Sequence, residues 1–158
     1  MNAGPEDAPA GKPGLRAAFR WLATILVVAV VVQIGLAGYG AFHAVHAADH
    51  HSISKKTIEH AFSAHVALGY IIVLAMIALL VIAVAGQLGK RAIVGAGVIV
   101  LLGVLQAILG IASESVPAIG PLHTVNALAI AGSAGGLTGR AWKAKRAAGR
   151  ASGAAQEG

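Results

Sequence analysis

The chain has 158 residues, of which 57% are hydrophobic and 11% charged, with a formal net charge of +6 and no cysteine. A soluble domain of this size cannot hide so much apolar surface, so lipid is the expected solvent, and the lack of cysteine excludes disulfides, thiolate metal sites and cysteine nucleophiles. The positive charge does not point to nucleic acid, because the basic residues stand at the edges of long apolar runs, as juxtamembrane anchors do.

In chain order, residues 1–15 are rich in Gly, Ala and Pro and are expected to form a disordered cytoplasmic N-terminus. Residues 21–42, from Trp21 to Phe42, carry no formal charge and are long enough to span a bilayer as a first helix. A signal peptide is the rival reading, since basic residues come first and Val45-His46-Ala47 could pass as a cleavage site. The apolar run is longer than a usual signal h-region, so a retained span is the expectation. Residues 43–60 form a His-rich outer loop, and 61–86 a second apolar helix interrupted only by His65 near its start. Residues 92–113 form a third helix, and 119–139 a fourth that is richer in Gly, Ala and Ser and begins with Pro121, a residue suited to a first turn. Residues 143–158 read as a disordered basic cytoplasmic tail. The whole predicts an all-α integral membrane domain over 16–142, an antiparallel four-helix bundle made of two pseudo-repeated helix hairpins.

Lysine and arginine set the expected orientation. Lys12, Arg16 and Arg20 precede the first helix, Lys90 and Arg91 fill the second turn, and Arg140, Lys143, Lys145, Arg146 and Arg150 follow the fourth. Only Lys55 and Lys56 fall on the other side. The positive-inside rule then puts both termini in the cytoplasm and every histidine in the outer half.

Gln33 lies within VVQIGLAG of the first helix and Gln106 within VLQAILG of the third. Each is followed by an outer loop and then a helix with a histidine near its outer start, His65 and His123. Most of the histidine cluster falls in the longer first loop and reads as an insertion into this Gln, loop, His order. Polar side chains at membrane depth are costly and usually serve a purpose. One purpose is heme b, with His65 and His123 as axial ligands to the iron. Gly69 and Ala127, each one turn deeper, would leave room for the macrocycle. The other is structural: the two histidines hydrogen-bond to Gln33, Gln106 or Asn126 and pin helices together. Spacing alone leaves both open. Gln33 and Gln106 read as interhelical hydrogen-bonders rather than ligands.

His43, His46 and His50 are spaced i, i+3, i+7, with Asp49 and His51 nearby. On an outward extension of the first helix they would share a face, and imidazole with carboxylate suits Zn²⁺ or Cu²⁺, but the spacing matches no closed motif. An exposed polar loop is the preferred reading. No nucleophile–base pair or phosphate loop is present, so catalysis is not expected; an enzyme here would be a heme-dependent membrane oxidoreductase.

VVQIGLAGYG, FSAHVALGY, VLQAILG and PLHTVNALAI, quoted from the four apolar segments, resemble an uncharacterised bacterial family of small four-helix membrane proteins. The same pattern is similar to one half of the heme A synthase family, whose halves are four-helix bundles. There a histidine near the outer start of the second helix pairs with one at the start of the fourth, which by position are His65 and His123. The resemblance runs from about Trp21 to Arg140. It implies a bacterial plasma-membrane location, a bundle fold and a heme site. It does not imply heme A synthesis: heme A synthases commonly have two such halves, and Val66 and Thr124 follow the histidines where that family places arginine or glutamine. The half-length likeness suggests a homodimer as one partner, and heme suggests a redox partner or quinone as another.

Overall fold

A bilayer offers no water to main-chain groups, so an apolar chain must close its hydrogen bonds within itself, and helices do so. The computed structural model describes residues 12–50, 53–154 and 156, and every regular element among them is helical. Helix α1 runs over Pro13–His50, α2 over Lys55–Ala85, α3 over Lys90–Ser115 and α4 over Gly120–Ala154, with a 3-10 turn at Pro117–Ile119 leading into α4. Pro13 opens α1, where its missing N–H costs nothing. Ser54 caps α2 by accepting the Thr57 N–H at 3.1 Å, which satisfies one of the otherwise orphaned donors of the first turn. The tight α2–α3 turn passes through Gly89 at φ 86°, a conformation that favours glycine.

Helices α1, α2 and α3 are long and apolar enough to cross a membrane. Their outward faces are apolar: Leu74, Leu101 and Ile111 are 66%, 69% and 71% exposed. Contiguous apolar surface of this kind is unstable in water and matched to lipid. Helix α4 is as long, but Gly, Ala and Ser dilute its apolar character, and it carries Arg140, Lys143, Lys145, Arg146 and Arg150 before its last turn.

The helices outrun the apolar segments. At 38 residues, α1 is about 57 Å long, nearly twice the roughly 30 Å hydrocarbon thickness. Residues 43–50 and 55–60, read from sequence as an outer loop, are helical, and so are residues 143–154, read as a disordered tail. The reason is cooperative. Once the apolar part has formed, each further residue adds a hydrogen bond without a new nucleus, and alanines such as Ala44, Ala47, Ala144 and Ala147 favour continuation. The disorder expected at residues 1–11 lies outside the described residues.

Neighbouring helices contact in a ring: α1 on α2, α2 on α3, α3 on α4 and α4 on α1. Helices α2 and α4 therefore face each other across the diagonal. The core repeats at three- and four-residue steps: Phe19, Ala23, Leu26 and Val30 on α1, Ile72, Met76, Leu79 and Ala83 on α2, Ala96 and Ile99 on α3, and Ile130, Ala134 and Leu137 on α4. That spacing turns one stripe of each helix inward. Gly103 joins this core and lets α3 approach Met76, because a Cβ there would stand 2.5 Å from Met76 Sδ. Gly103→Val is expected to lower unfolding stability in detergent by about 1–3 kcal/mol through overpacking, and adding Met76→Ala should recover part of the loss. An unchanged thermal midpoint in the single variant would show the α2–α3 contact to be looser than this.

One end of the molecule is aromatic and basic. Trp142 of α4 meets Trp21 of α1 edge-on at 5.2 Å and donates from Nε1 to Thr24 Oγ1 at 3.1 Å. The Arg20 guanidinium and the Lys145 ammonium approach its ring at 5.6 and 5.2 Å, within cation–π range. This cluster ties α1 to α4 at that end. Toward the other end the same two helices part around a cavity.

Candidate functional site

The cavity has a volume of about 110 Å³ and takes residues from all four helices. Helix α1 gives Val30, Gln33, Ile34 and Ala37; α2 gives His65; α3 gives Gln106; α4 gives His123, Thr124 and Ala127. The two imidazoles lie across the α2–α4 diagonal with ring centres 6.3 Å apart and planes inclined at 54°. Phe62 stands edge-on to His65 at 6.3 Å.

Each histidine is held by the glutamine on the neighbouring helix. His65 Nδ1 lies 3.1 Å from the main-chain oxygen of Gln33, and Gln33 Nε2 donates back to the main-chain oxygen of His65 at 2.7 Å. His123 Nδ1 lies 3.2 Å from the main-chain oxygen of Gln106. A carbonyl can only accept, so in both rings a proton is assigned to Nδ1. These bonds answer the sequence reading of Gln33 and Gln106 as interhelical hydrogen-bonders.

The second pair has an extra member. Buried Asn126 donates from Nδ2 to the Leu102 main-chain oxygen at 2.9 Å and to Gln106 Oε1 at 2.7 Å. With Oε1 accepting, Gln106 turns its Nε2 to His123 Nε2 at 3.0 Å. Every donor in this network meets an acceptor. The first pair lacks such a partner: Gln33 Oε1 is buried without a hydrogen bond.

The small residues do two different things. Ala127 lines the cavity. Gly69 stands against the Gln33 amide, where an added Cβ would come within 3.2 Å of Nε2. Gly110 does for His123 what Gly69 does for Gln33, since a Cβ there would lie 3.3 Å from the ring Cε1. Val30, Ile34 and Ala37 escaped the sequence reading. The available signal was their i, i+4, i+7 spacing around Gln33 on one face of α1.

The outer histidines do not assemble a site. His43, His46 and His50 ride the last turns of α1. His46 and His50 meet edge-on at 4.6 Å, and His43 lies 5.8 Å from Tyr39. Among the described residues no group of three or more His, Cys, Asp or Glu could hold a metal ion. Helical pitch explains it: His43 and His50 are separated by about 10.5 Å of rise, and ligands at about 2.0–2.1 Å from one ion cannot bridge that. His51 lies outside the described residues. Glu59 is exposed and paired with Lys55 at 3.6 Å.

Chemically, the site offers two imidazoles, each with Nδ1 at a carbonyl as metal-binding histidines commonly have. Two imidazoles bound to opposite sides of one ion at about 2.0–2.1 Å would put their ring centres about 6 Å apart; the two rings have that separation, but His123 turns both its nitrogens to Gln106. The void itself is smaller than the roughly 150 Å³ that accepts a benzene, so a macrocycle needs α1 and α4 to separate further. Ile34 and Thr124 at the cavity wall are both exposed, and the aromatic tie between the helices is at the far end. Against protein-family models, curated proteins and solved structures, the chain finds no match.

Proposed function

We propose that the chain is a four-pass protein of the bacterial plasma membrane that binds heme b between α2 and α4, for electron transfer or heme handling near the outer face. In this reading it is an antiparallel bundle of two related Gln, loop, His hairpins, akin to one half of heme A synthase, with both termini cytoplasmic. The contact of α4 with both α1 and α3 supports a fourth span. The gathering of Arg20, Lys90, Arg91, Arg140 and Lys145 around one end supports the orientation.

The observation that carries the heme reading is the pair of imidazoles 6.3 Å apart, each with Nδ1 at a carbonyl. His65 and His123 would hold the heme iron, and Val30, Ile34, Ala37 and Ala127 would form the apolar wall. Heme supplies one-electron chemistry at its iron. The residues of the chain fix the imidazole tautomers and exclude water. An optical spectrum of protein purified from heme-supplemented cells tests the reading: a Soret band and a reducible α band are expected, and colourless protein overturns it.

One observation favours a cofactor-free scaffold instead. Gln106 Nε2 lies 3.0 Å from His123 Nε2, on the lone pair that iron would use. In that reading the His–Gln pairs serve only to clamp α1 to α2 and α3 to α4, and no variant of them carries colour.

A further inference from the structure

A second recess, of about 420 Å³, lies at the basic end of the molecule between α3 and α4. Lys90 and Arg91 at the start of α3 and Arg140 of α4 line it, together with Val94 and Gly95. The Arg140 side chain folds back along its own helix, so that a Cβ on Gly136 would stand 3.6 Å from its Nη2. Leu137 closes on Gly95, where a Cβ would meet its Cδ1 at 2.9 Å. The recess therefore has a cationic rim and an apolar wall.

Nothing anionic among the described residues balances that rim. The described acids are Asp49 at the end of α1, Glu59 in the first turns of α2 and Glu114 at the end of α3, and all three lie at helix ends remote from the start of α3. The one ion pair among the described residues joins Lys55 to Glu59. Three cations from two helices thus converge with no carboxylate from the described residues beside them, next to an apolar surface of membrane-spanning α3. A free anion would use only the charges. A lipid uses both features, with its phosphate at the rim and the start of an acyl chain along Val94 and Gly95.

We infer that this recess is a binding site for the headgroup of an anionic phospholipid of the leaflet on the basic side. The inference rests on the membrane placement of α3 and is independent of heme. Basic recesses between helices on that side of a membrane recognise such headgroups, and each lysine or arginine near the surface contributes attraction to anionic lipid. Phosphatidylglycerol is the probe that carries both the charge and the acyl chains.

Native mass spectrometry of the full chain in a neutral detergent gives the test, with phosphatidylglycerol, phosphatidylcholine and inorganic phosphate titrated separately. Wild type should retain phosphatidylglycerol in preference to phosphatidylcholine. Arg140→Gln should weaken that preference about fivefold, and the triple variant K90Q/R91Q/R140Q roughly a hundredfold. The variant K55Q/K56Q, at the other end, should retain it unchanged. All three rim residues are exposed, so helicity by circular dichroism should survive substitution. If the triple variant unfolds, Arg140→Gln alone decides. Equal retention of the two lipids, or a preference untouched by Arg140→Gln, overturns the inference. Displacement of phosphatidylglycerol by millimolar phosphate also overturns it, by showing a site for a free anion.

Discussion

Alanine at His65 or at His123 is expected to remove most of the heme absorbance from purified protein, and alanine at both to remove all of it. The two rings stand on opposite sides of the cavity, 6.3 Å apart, and no other described histidine lines it. Loss of either ring would leave a bound heme iron only one protein ligand. Disturbing only the groups that orient a ligand typically costs 10–100-fold in affinity, roughly, and loss of the ligand itself costs more. The readout is the ratio of Soret to protein absorbance after purification, with circular dichroism as the check on folding. Free imidazole added to either single variant should restore the six-coordinate spectrum, because the cavity left by alanine is the size of the ring removed. Triple replacement of His43, His46 and His50 by alanine should leave the spectrum unchanged, since those residues lie outside the cavity. Soret absorbance that survives in the double variant His65→Ala, His123→Ala would place the ligands elsewhere. In the scaffold reading the same single variants change only stability, by about 0.6–2 kcal/mol per interhelical hydrogen bond.

What could be read from the sequence follows the reach of each physical signal. Charge-free apolar runs of about 20 residues announce membrane helices, and α1, α2 and α3 have that length and composition. Helix ends were less legible. Hydropathy stops where lipid stops, whereas the main-chain hydrogen-bond ladder stops only where a residue or a turn breaks it. That is why residues 43–50 continue α1 and why the histidines there follow helical pitch instead of gathering in a loop. The glutamines were legible as hydrogen-bonders because a carboxamide in lipid must find a partner. Pairing with His65 and His123 was one of the two sequence readings, but the share of main-chain oxygens in those bonds was not legible, because a carbonyl carries no sequence signature as an acceptor. Nor was the α1 wall of the cavity. Val30, Ile34 and Ala37 look like any lipid-facing residues until the position of α4 is known.

Asn126→Leu is expected to weaken heme binding about 10–100-fold without touching a ligand, because Asn126 fixes the direction of every hydrogen bond around His123. Its Nδ2 donates to Gln106 Oε1 at 2.7 Å, which leaves the Gln106 amide nitrogen to face His123 Nε2 at 3.0 Å. Only a bare Nε2 can accept there, so the ring proton sits on Nδ1, at the Gln106 main-chain oxygen 3.2 Å away. Leucine keeps the branched outline of asparagine, with bulkier ends, but has no donors. The Gln106 carboxamide is then free to turn over and present Oε1 to the ring, which favours a proton on Nε2, whereas in the native network iron would only have to displace the Gln106 amide from an Nε2 that already bears the lone pair. Asn126→Asp should be more severe, since an ionised carboxylate can donate neither to Gln106 Oε1 nor to the Leu102 oxygen and is itself costly at 7% exposure. Asn126→Gln, if its longer amide reaches Gln106 Oε1, should recover part of the affinity. Nitrogen chemical shifts of labelled His123 give an independent readout, because they report which ring nitrogen bears the proton. His65 has no counterpart to Asn126, and Gln33 Oε1 has no partner, so the corresponding change Leu68→Ala on α2 should leave the His65 tautomer as it is. A mixed His123 tautomer with heme affinity undiminished would show that the network serves packing alone, and that the iron, where bound, selects its own nitrogen.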